Sequence, residues 1–248
     1  MKVALVTGAS SGIGAATARM LAGDGWRVML VARRADRLER FADELGNAAA
    51  LGVDLTDADA PGRVREAAER EGALHLLANN AGGAWRASFA EGGYENVRRT
   101  MEVNFDAVVR LTEALLPLLR SSAPSSIVNV SSVAGRIGRP KVAAYAASKF
   151  ALAGWTEGIS HEEAPNGVHV GLVLPGFVET EGFPQKQLTG SVTTRWMVSK
   201  PDKVAKAILA AGPGGKSEVY VPRPYGLLPR LRFLAPGVVR RAVRTGRF

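Results

Sequence analysis

Short apolar runs alternate with longer amphipathic segments along most of the chain, and this alternation constrains the fold more than any other feature. Residues 2–7 (KVALVT) and 168–176 (VHVGLVLPG) are apolar at nearly every position. Such strands are typical of a parallel sheet covered by helices on both faces. Further strands are predicted at 27–32, 48–54, 73–80, 125–132 and 217–222, and helices at 13–22, 35–45, 57–71, 94–120, 143–163 and 202–211. This order predicts an α/β fold, a doubly wound parallel sheet of about seven strands.

The length and composition suit one domain. The chain has 248 residues, of which 46% are hydrophobic and 22% charged, so it can bury a core and is not disordered throughout. It has no cysteine, which excludes a disulfide scaffold, a thiolate metal site and a cysteine nucleophile. Its three histidines lie far apart in the sequence, so we expect no metal site. We expect a domain at 1–222, with a lid at about 181–199, and a basic, proline-containing extension at 223–248.

The positive charge is concentrated at the C-terminal end. The formal net charge is +9, and residues 223–248 contain seven arginines and no acidic residue, which leaves +2 for residues 1–222. A nearly neutral body does not indicate a nucleic-acid partner. The first residues, MKVALVTGAS, lack the long apolar region of a signal peptide, and no stretch of ~18 residues is apolar enough to span a membrane. We therefore expect a cytoplasmic protein.

A glycine-rich segment, TGASSGIG at 7–14, joins the first predicted strand to the first helix. Glycine permits a tight turn, and the unpaired N–H groups of a helix N-terminus favour a phosphate. Any tight strand–helix turn can use glycine, but this position in an α/β pattern indicates nucleotide binding. The spacing is G-x-x-x-G-x-G, and the expected cofactor contacts are Gly8, Ser10, Ser11, Gly12, Ile13 and Gly14.

The second predicted strand ends in Ala32-Arg33-Arg34, with no acid at its tip. In dinucleotide folds, an acid about 20 residues after the turn binds the ribose 2′-hydroxyl. Arginines suit a 2′-phosphate instead, because guanidinium groups make charge-assisted and often bidentate contacts with it. We therefore expect NADP(H) to be preferred over NAD(H), with Arg33 as the main contact and Arg34 beside it. The alternative is that both arginines only solvate a helix start.

Tyr145 and Lys149 lie four residues apart on a predicted helix, so both side chains share one face. A phenol ordinarily titrates near 10 and is a poor base at neutral pH. An ammonium about 5 Å away, at an effective dielectric constant of about 20, would favour tyrosinate by roughly 3 kcal/mol, or about 2 pKa units. The pair is therefore a candidate general acid/base. Taken alone, such a pair is common on protein surfaces.

Two further polar residues are candidates for the same site. Ser132 ends the fifth predicted strand, where ligands bind in doubly wound sheets, and could hydrogen-bond a substrate carbonyl. Ser131 is the adjacent alternative. Asn104 is a poor helix former inside a predicted helix, where it could expose a backbone carbonyl to a water near Lys149. The alternative for Asn104 is an ordinary polar helix residue.

These segments resemble the signatures of the short-chain dehydrogenase/reductase family. The matching strings are TGASSGIG, NNAG at 79–82, NVSS at 129–132 and YAASK at 145–149, and the resemblance runs from Thr7 to Thr180. It implies a single-domain Rossmann-type oxidoreductase that transfers hydride between NADP(H) and a carbonyl or secondary alcohol. It also implies a homodimer or homotetramer formed through the helices around 96–120 and 145–163. Ser11 departs from the pattern, because many NADP-dependent members carry a basic residue there.

The resemblance also implies residue roles. Tyr145 would exchange the proton, Ser132 would position and polarise the carbonyl, Lys149 would lower the pKa of the tyrosine and bind the nicotinamide ribose, and Asn104 would support a water relay. Asp54, with Leu55, matches the adenine contact, although Asp54 or Asp57 could instead cap a helix. The other implied cofactor contacts are Asn80, Ala81, Gly82, Tyr145, Lys149, Pro175, Gly176, Val178 and Thr180.

The substrate and the tail are less constrained. Phe183, Trp196 and Met197, with Trp85, favour a pocket for an apolar ketone or secondary alcohol, although plain packing explains each as well. The sequence shows no evident clamp for a carboxylate or a coenzyme A group beyond Lys186 and Arg195.

The tail mixes leucine, phenylalanine and valine with arginine, which is compatible with weak contact to an anionic membrane surface. A solvated face, or packing on a partner subunit, is the more common role of such a segment. Two other functions therefore stay open: a non-catalytic NADP(H)-sensing regulator, and a membrane-surface protein that uses its basic tail.

Overall fold

The computed structural model describes residues 1–181 and 197–244. Its main sheet is parallel and contains the strands β1 (Val3–Thr7), β2 (Arg27–Ala32), β3 (Ala48–Gly52), β4 (Leu76–Asn79), β5 (Ser125–Val130), β6 (Val168–Pro175) and β9 (Glu218–Val221). Their spatial order is β3-β2-β1-β4-β5-β6-β9. The chain therefore builds the sheet outward in both directions from β1, which confirms the predicted doubly wound α/β fold.

Helices cover both faces of this sheet. The longer ones are α1 (Gly12–Gly23), α2 (Ala35–Leu45), α3 (Ala60–Arg70), α4 (Phe89–Met101), α5 (Ala107–Ser121), α6 (Ala143–Glu163), α7 (Pro201–Ala211), α8 (Leu227–Leu234) and α9 (Pro236–Arg244). Leu21, Phe41 and Ile208 of α1, α2 and α7 pack in one core layer. Val64 and Leu115 of α3 and α5 pack in the other.

Alternation along β1 explains why the strands are apolar throughout. Val6 points into the layer that holds α1 and α7, whereas Leu5 points into the layer that holds α3 and α5. All five residues of β1 are buried. Because the strands are parallel, their carboxyl ends lie along one edge of the sheet. The loops that carry the candidate site residues therefore meet at that edge.

The helix predicted at 94–120 begins earlier and is not uniform. Ser88 and Glu91 form a capping box, so α4 starts at Phe89, and Gly93 (φ 51°) interrupts its helical geometry. A π-helical turn, Glu102–Asp106, then separates α4 from α5. The prediction missed the start because it followed the apolar pattern alone, whereas the S-x-x-E capping signal was present in the sequence.

The segment predicted as a lid is described only at its ends. Residues 182–196, which hold Phe183, Lys186, Arg195 and Trp196, lie outside the described residues. The flanking segments β7 (Phe177–Val178) and β8 (Val198–Ser199) form a short parallel pair. The prediction placed no strand at 198–199. In the tail, the helices that contain the prolines are short, as expected.

Over the described ranges, none of the helices is both long enough and apolar enough to cross a membrane.

Candidate active site

The glycine turn between β1 and α1 leaves no room for side chains. Gly8 (φ 66°) and Gly12 (φ 55°) both adopt left-handed backbone conformations, which favour glycine. A Cβ atom on Gly14 would lie 2.3 Å from the carbonyl oxygen of Gly8. The turn therefore depends on all three glycines of the G-x-x-x-G-x-G spacing.

Thr7 ties this turn to the NNAG string that follows β4. Its hydroxyl oxygen accepts hydrogen bonds from the backbone N–H groups of Asn80 and Ala81, both at 2.9 Å. The Asn80 side-chain amide in turn donates to the Thr7 carbonyl at 2.9 Å. The string is therefore fixed against the glycine turn and is more than a polar surface loop.

The N-terminus of α1 fits a phosphate group. Ser11 is the N-cap residue, yet its side chain makes no capping hydrogen bond to the helix. The hydroxyls of Ser10 and Ser11 instead accept hydrogen bonds from the Arg34 guanidinium, at 2.9 and 3.1 Å. A Cβ on Gly12 would lie 3.1 Å from Thr180 Cγ2, so Thr180 also borders the turn. The donors, the cation and the cramped glycines fit the phosphates of a dinucleotide.

Arg33 and Asp54 lie together at the ends of β2 and β3. Arg33 Nη1 is 3.8 Å from Asp54 Oδ2, and the Arg33 side chain is 78% exposed. Asp54 Oδ1 accepts hydrogen bonds from the Thr56 N–H at 3.1 Å and the Thr56 hydroxyl at 2.8 Å. The turn at Thr56 therefore holds the carboxylate at the rim of the crevice, while the arginine stays available to solvent.

The alternative assignment of Asp54 or Asp57 as a helix cap does not hold. The helix α3 begins at Ala60, and its N-cap residue is Asp59. The Leu55 side chain packs against the core layer beneath the loop. Asp54 therefore stays a predicted cofactor contact.

Asn104 lies in the π-helical turn and is fully buried. Its side-chain oxygen accepts a hydrogen bond from the Gly83 N–H at 2.8 Å, and its amide donates to the Gly83 carbonyl and to Ser148 Oγ at 2.9 and 3.0 Å. Single π-helical turns occur frequently at functional sites. Asn104 therefore clamps the loop after Gly82 and is not an ordinary polar helix residue.

The structure separates the two candidate serines. The Ser131 hydroxyl is buried and donates to the Lys149 carbonyl at 2.9 Å. The Ser132 hydroxyl accepts from the Ala134 N–H at 3.1 Å, donates to the Pro175 carbonyl at 3.3 Å, and interacts with the Tyr145 phenol. Ser132 is therefore the serine placed to act with Tyr145.

Lys149 lies under the crevice with only 4% of its surface exposed. Its ammonium donates to the Val130 carbonyl at 2.9 Å and lies 5.9 Å from the centre of the Tyr145 ring. A Cβ on Gly82 would be 3.6 Å from Lys149 Nζ and 2.9 Å from Asn104 Oδ1. Gly82 therefore lies where Lys149 and Asn104 meet.

The surroundings of Tyr145 differ from the expectation in one respect. Burial raises the pKa of the Tyr145 phenol, and the groups that oppose this increase are the Ser132 hydroxyl and the positive charge of Arg139. Burial also lowers the pKa of Lys149 to about 8. Desolvation therefore outweighs the attraction that we expected from Lys149, and Arg139 supplies a cation that the sequence analysis had not considered.

Ser132, Tyr145 and Lys149 line a cavity of about 470 Å³ at the carboxyl edge of the sheet. The lining residues that the sequence analysis missed include Arg86, Arg139, Tyr225 and Leu228. A Cβ on Gly176 would lie 2.1 Å from the Tyr225 ring, so the tail folds back against the Pro175-Gly176 segment. No sequence motif marks these positions, because they come from loops and from a tail that only the fold brings to the cavity.

Met197 lines the cavity as expected, but Trp85 does not. The Trp85 ring lies against Gly83 and under the Arg99 guanidinium, whose Cζ is 4.9 Å from the ring centre. The Trp85 carbonyl accepts a hydrogen bond from Asn96 at 3.3 Å. The position of Trp85 is therefore explained by packing, and not by a role in lining the cavity.

Fold and site together define a dinucleotide-binding α/β protein with a tyrosine, a lysine and a serine beside the binding edge. Comparison with known proteins gives the same answer. The family model for short chain dehydrogenase matches residues 2–189. With that match, the chain belongs to the short-chain dehydrogenase/reductase family and is an oxidoreductase of this type.

Three similar proteins illustrate the relationship. A dehydrogenase/reductase SDR family protein 7-like from Anopheles gambiae is 33% identical over 96% of this chain and 80% of that protein. A short-chain dehydrogenase from Streptomyces avermitilis, with 29% identity, superposes with a TM-score of 0.82 over 99% of this chain and 98% of its own. A single-substitution variant of actinorhodin polyketide ketoreductase, solved with NADPH, has 30% identity and a TM-score of 0.79 over 91% and 97% of the two chains.

Proposed function

We propose that the protein is an NADP(H)-dependent carbonyl reductase or secondary-alcohol dehydrogenase that uses Asn104, Ser132, Tyr145 and Lys149. The observation that carries the proposal is the meeting of Ser132, Tyr145 and Lys149 in one cavity with Ile13 and Thr180 of the cofactor-binding segments. The proton-exchanging group and the dinucleotide site therefore share one space. The mostly apolar lining favours an apolar substrate skeleton.

The cofactor contacts follow from the crevice. The glycine turn and the N-terminus of α1 would hold the pyrophosphate, while Asp54 and Arg33 border the adenosine end. The Asn80–Gly82 string and the segment from Pro175 to Thr180 would enclose the nicotinamide end. When bound, NADPH supplies the hydride for carbonyl reduction.

The protein's own part in the reaction is to hold and deliver a proton. Ser132 hydrogen-bonds the carbonyl oxygen and fixes it beside the Tyr145 phenol. Tyr145 gives its proton to that oxygen as the alcohol forms, and alcohol oxidation reverses the transfer. Asn104 and Lys149 both approach Gly82, and we propose that they support a water relay that returns the proton to Tyr145.

A direct test is NADPH consumption with a panel of ketones, aldehydes, steroids and acyl thioesters, with NADH as the comparison. We expect oxidation of NADPH with at least one class of carbonyl compound. Tight binding of NADPH without turnover of any class would favour the second candidate, a non-catalytic NADP(H) sensor. The presence of all four proposed catalytic residues, Asn104, Ser132, Tyr145 and Lys149, favours an enzyme over a sensor.

We predict that Arg33→Asp weakens NADPH binding by about 10-fold to 100-fold, because hydrogen bonds to charged groups contribute ~1.5–3 kcal/mol. NADH binding should change little or improve, since an acid there suits a free 2′-hydroxyl. The neighbouring Arg34 supports a role for this segment in cofactor binding. Arg34 is the N-cap residue of α2, where a cation opposes the helix dipole, so helix stability does not explain the choice of arginine at this position. Titration of both cofactors by fluorescence measures the effect.

Arg40→Gln is the matched control, because Arg40 lies on α2, the helix that begins two residues after Arg33, and pairs only with Asp36, at 3.2 Å, among the described residues. It should leave both dissociation constants unchanged. Equal weakening of NADPH and NADH by Arg33→Asp would refute 2′-phosphate recognition, and stronger binding of NADH by the unmodified protein would overturn the NADP(H) preference.

We also propose weak contact between the tail and an anionic membrane surface. In α8 and α9, Phe233, Leu234 and Val238 are 87%, 77% and 69% exposed, and the same helices carry arginines but no acid. Apolar side chains beside cations fit an interfacial surface. Since Tyr225 packs on Gly176, deleting residues 223–248 would also damage the cavity, so substitutions are the better test.

We expect Phe233→Ser with Leu234→Ser to reduce co-sedimentation with vesicles of phosphatidylserine and phosphatidylcholine several-fold, because about 0.8 kcal/mol is lost for each CH₂ withdrawn from the membrane. Phe89→Ser is the control, since Phe89 is 73% exposed on α4 and lies outside the tail. Equal binding by both variants and the unmodified protein would reject the tail as the contact.

A homodimer or homotetramer through the helices around 96–120 and 145–163, and a cytoplasmic location, stay predictions. Phe105 and Trp155 meet edge to face at 6.2 Å, so these two helical regions already pack together within one chain. Light scattering of the purified protein measures the number of subunits.

A further inference from the structure

Among the described residues that line the cavity, three are cations and none is an acid. Arg86, Arg139 and Lys149 face it, and no aspartate or glutamate is among its described lining residues. Lys149 is engaged with the Val130 carbonyl and placed beside Tyr145. The other two cations were not predicted as cavity residues, and they lie on the loops after Gly83 and after Ser132.

Arg139 is the cation closest to the proposed chemistry. Its charge acts on both Tyr145 and Tyr225, and its guanidinium carbon lies 5.1 Å from the centre of the Phe177 ring. Burial and the nearby Arg86 lower the pKa of Arg139, which means that the protein makes its positive charge less favourable than in water. Folding alone gains little from a guanidinium in such a place.

No acidic side chain compensates this charge. Among residues 1–181 and 197–244, Arg139 forms no ion pair, and the segments 182–196 and 245–248 contain neither aspartate nor glutamate. Arg136, three residues earlier on the same loop, shows the contrast. Its guanidinium donates to Glu218 at 2.6 Å and to the Tyr220 hydroxyl at 3.4 Å, so it is paired within the protein.

We infer that Arg139 binds a carboxylate of the substrate, so that the enzyme acts on oxo acids or hydroxy acids with an apolar chain. This inference rests on the proposed function and narrows its substrate. The guanidinium would pair with the carboxylate at one end of the molecule, while Ser132 and Tyr145 hold the carbonyl. Ile137, Val142, Met197 and Leu228 line the cavity and suit the chain between the two groups.

The test compares methyl-ketone acids of increasing chain length with their methyl esters, which have the same carbonyl but no charge. With NADPH, we expect the acid of the best length to exceed its ester in kcat/KM by about 10-fold or more, from the magnitude of a charged hydrogen bond. Arg139→Leu should bring the ratio of acid to ester close to one, and Arg139→Lys should restore part of it.

Arg136→Gln is the matched control and should leave the ratio unchanged. An equal loss for acids and esters in Arg139→Leu would mean that Arg139 serves only Tyr145 or packing, which overturns the inference. An unmodified enzyme without preference for acids would also overturn it. Weaker NADPH binding by Arg139→Leu would assign the residue to the cofactor instead.

A binding measurement separates this inference from the proposed function. Octanoate and octanamide have the same chain and no ketone, so neither is a substrate. Calorimetry should show octanoate binding at least about 10-fold tighter than octanamide to the unmodified protein with NADPH, and no such difference in Arg139→Leu. Failure of this result overturns carboxylate recognition even if ketone esters are reduced. If octanoate binds more tightly as expected but no ketone is turned over, carboxylate recognition by Arg139 holds and the proposed reaction is refuted.

Discussion

Tyr145→Phe is expected to lower kcat/KM for carbonyl reduction by about 10²-fold to 10⁴-fold, the usual contribution of a positioned general acid. The substitution removes only the phenolic oxygen, so the ring should still fill the wall of the cavity. NADPH binding should therefore stay within about threefold of the unmodified protein. Steady-state kinetics with the best ketone from the panel, together with fluorescence titration of NADPH, measures both quantities.

Tyr94→Phe is the control for this substitution, because the Tyr94 side chain is 74% exposed on α4 and lies outside the cavity. It should leave kinetics and binding unchanged. If Tyr145→Phe keeps full activity while binding NADPH normally, Tyr145 is not the proton donor and the proposed mechanism fails.

Lys149→Met is expected to abolish most activity without lowering stability at neutral pH. Methionine has a similar length and is readily buried, whereas the folded protein must desolvate the Lys149 ammonium. The pKa of Lys149 falls from its ordinary value of 10.5 to about 8 in the folded state. Below pH ~8 both states carry the proton, and the lowered pKa corresponds to about 3 kcal/mol against the charged form in the folded state.

The sign of the pH dependence follows from this difference. Between about pH 8 and 10, the folded protein releases the proton while the unfolded chain still holds it, so the unmodified protein gains stability as pH rises. Lys149→Met should lack this component. Urea denaturation at several pH values measures the free energy of unfolding of each form.

Lys203→Met is a suitable control, since Lys203 is exposed at the start of α7 and does not line the cavity. Identical pH profiles for Lys149→Met and the unmodified protein would show that Lys149 does not titrate with a lowered pKa. Retained activity in Lys149→Met would remove it from the mechanism.

Local spacing explains why much of the site could be predicted. A separation of four residues on a helix puts Tyr145 and Lys149 on one face whatever surrounds them. The glycine turn could be predicted equally well, because its positive φ angles and the close approach of Gly14 to Gly8 leave glycine as the residue that fits. The carboxyl edge of the sheet followed from the order of strands and helices.

Contacts between segments that are far apart in the sequence could not be predicted in this way. Arg139, Tyr225 and Leu228 reach the cavity because a loop and a tail fold over the same edge, and no periodic pattern encodes that approach. The capping box that starts α4 at Phe89 was readable from Ser88 and Glu91, whereas the π-helical turn around Asn104 was not. The pKa of Tyr145 is raised, whereas the sequence predicted a lowered pKa, because the burial of the phenol depends on the whole fold.

The amino-acid sequence alone therefore sufficed to predict the doubly wound sheet, the tight glycine turn and the placement of Tyr145 and Lys149 on one helix face. Each of these depends on backbone conformation or side-chain spacing within one or two consecutive elements. The sequence could not show which charges surround the phenol, or that Arg139 lies in the cavity wall with no acidic partner among the described residues. Desolvation and charge act through space, so they depend on which distant residues the packed chain brings together.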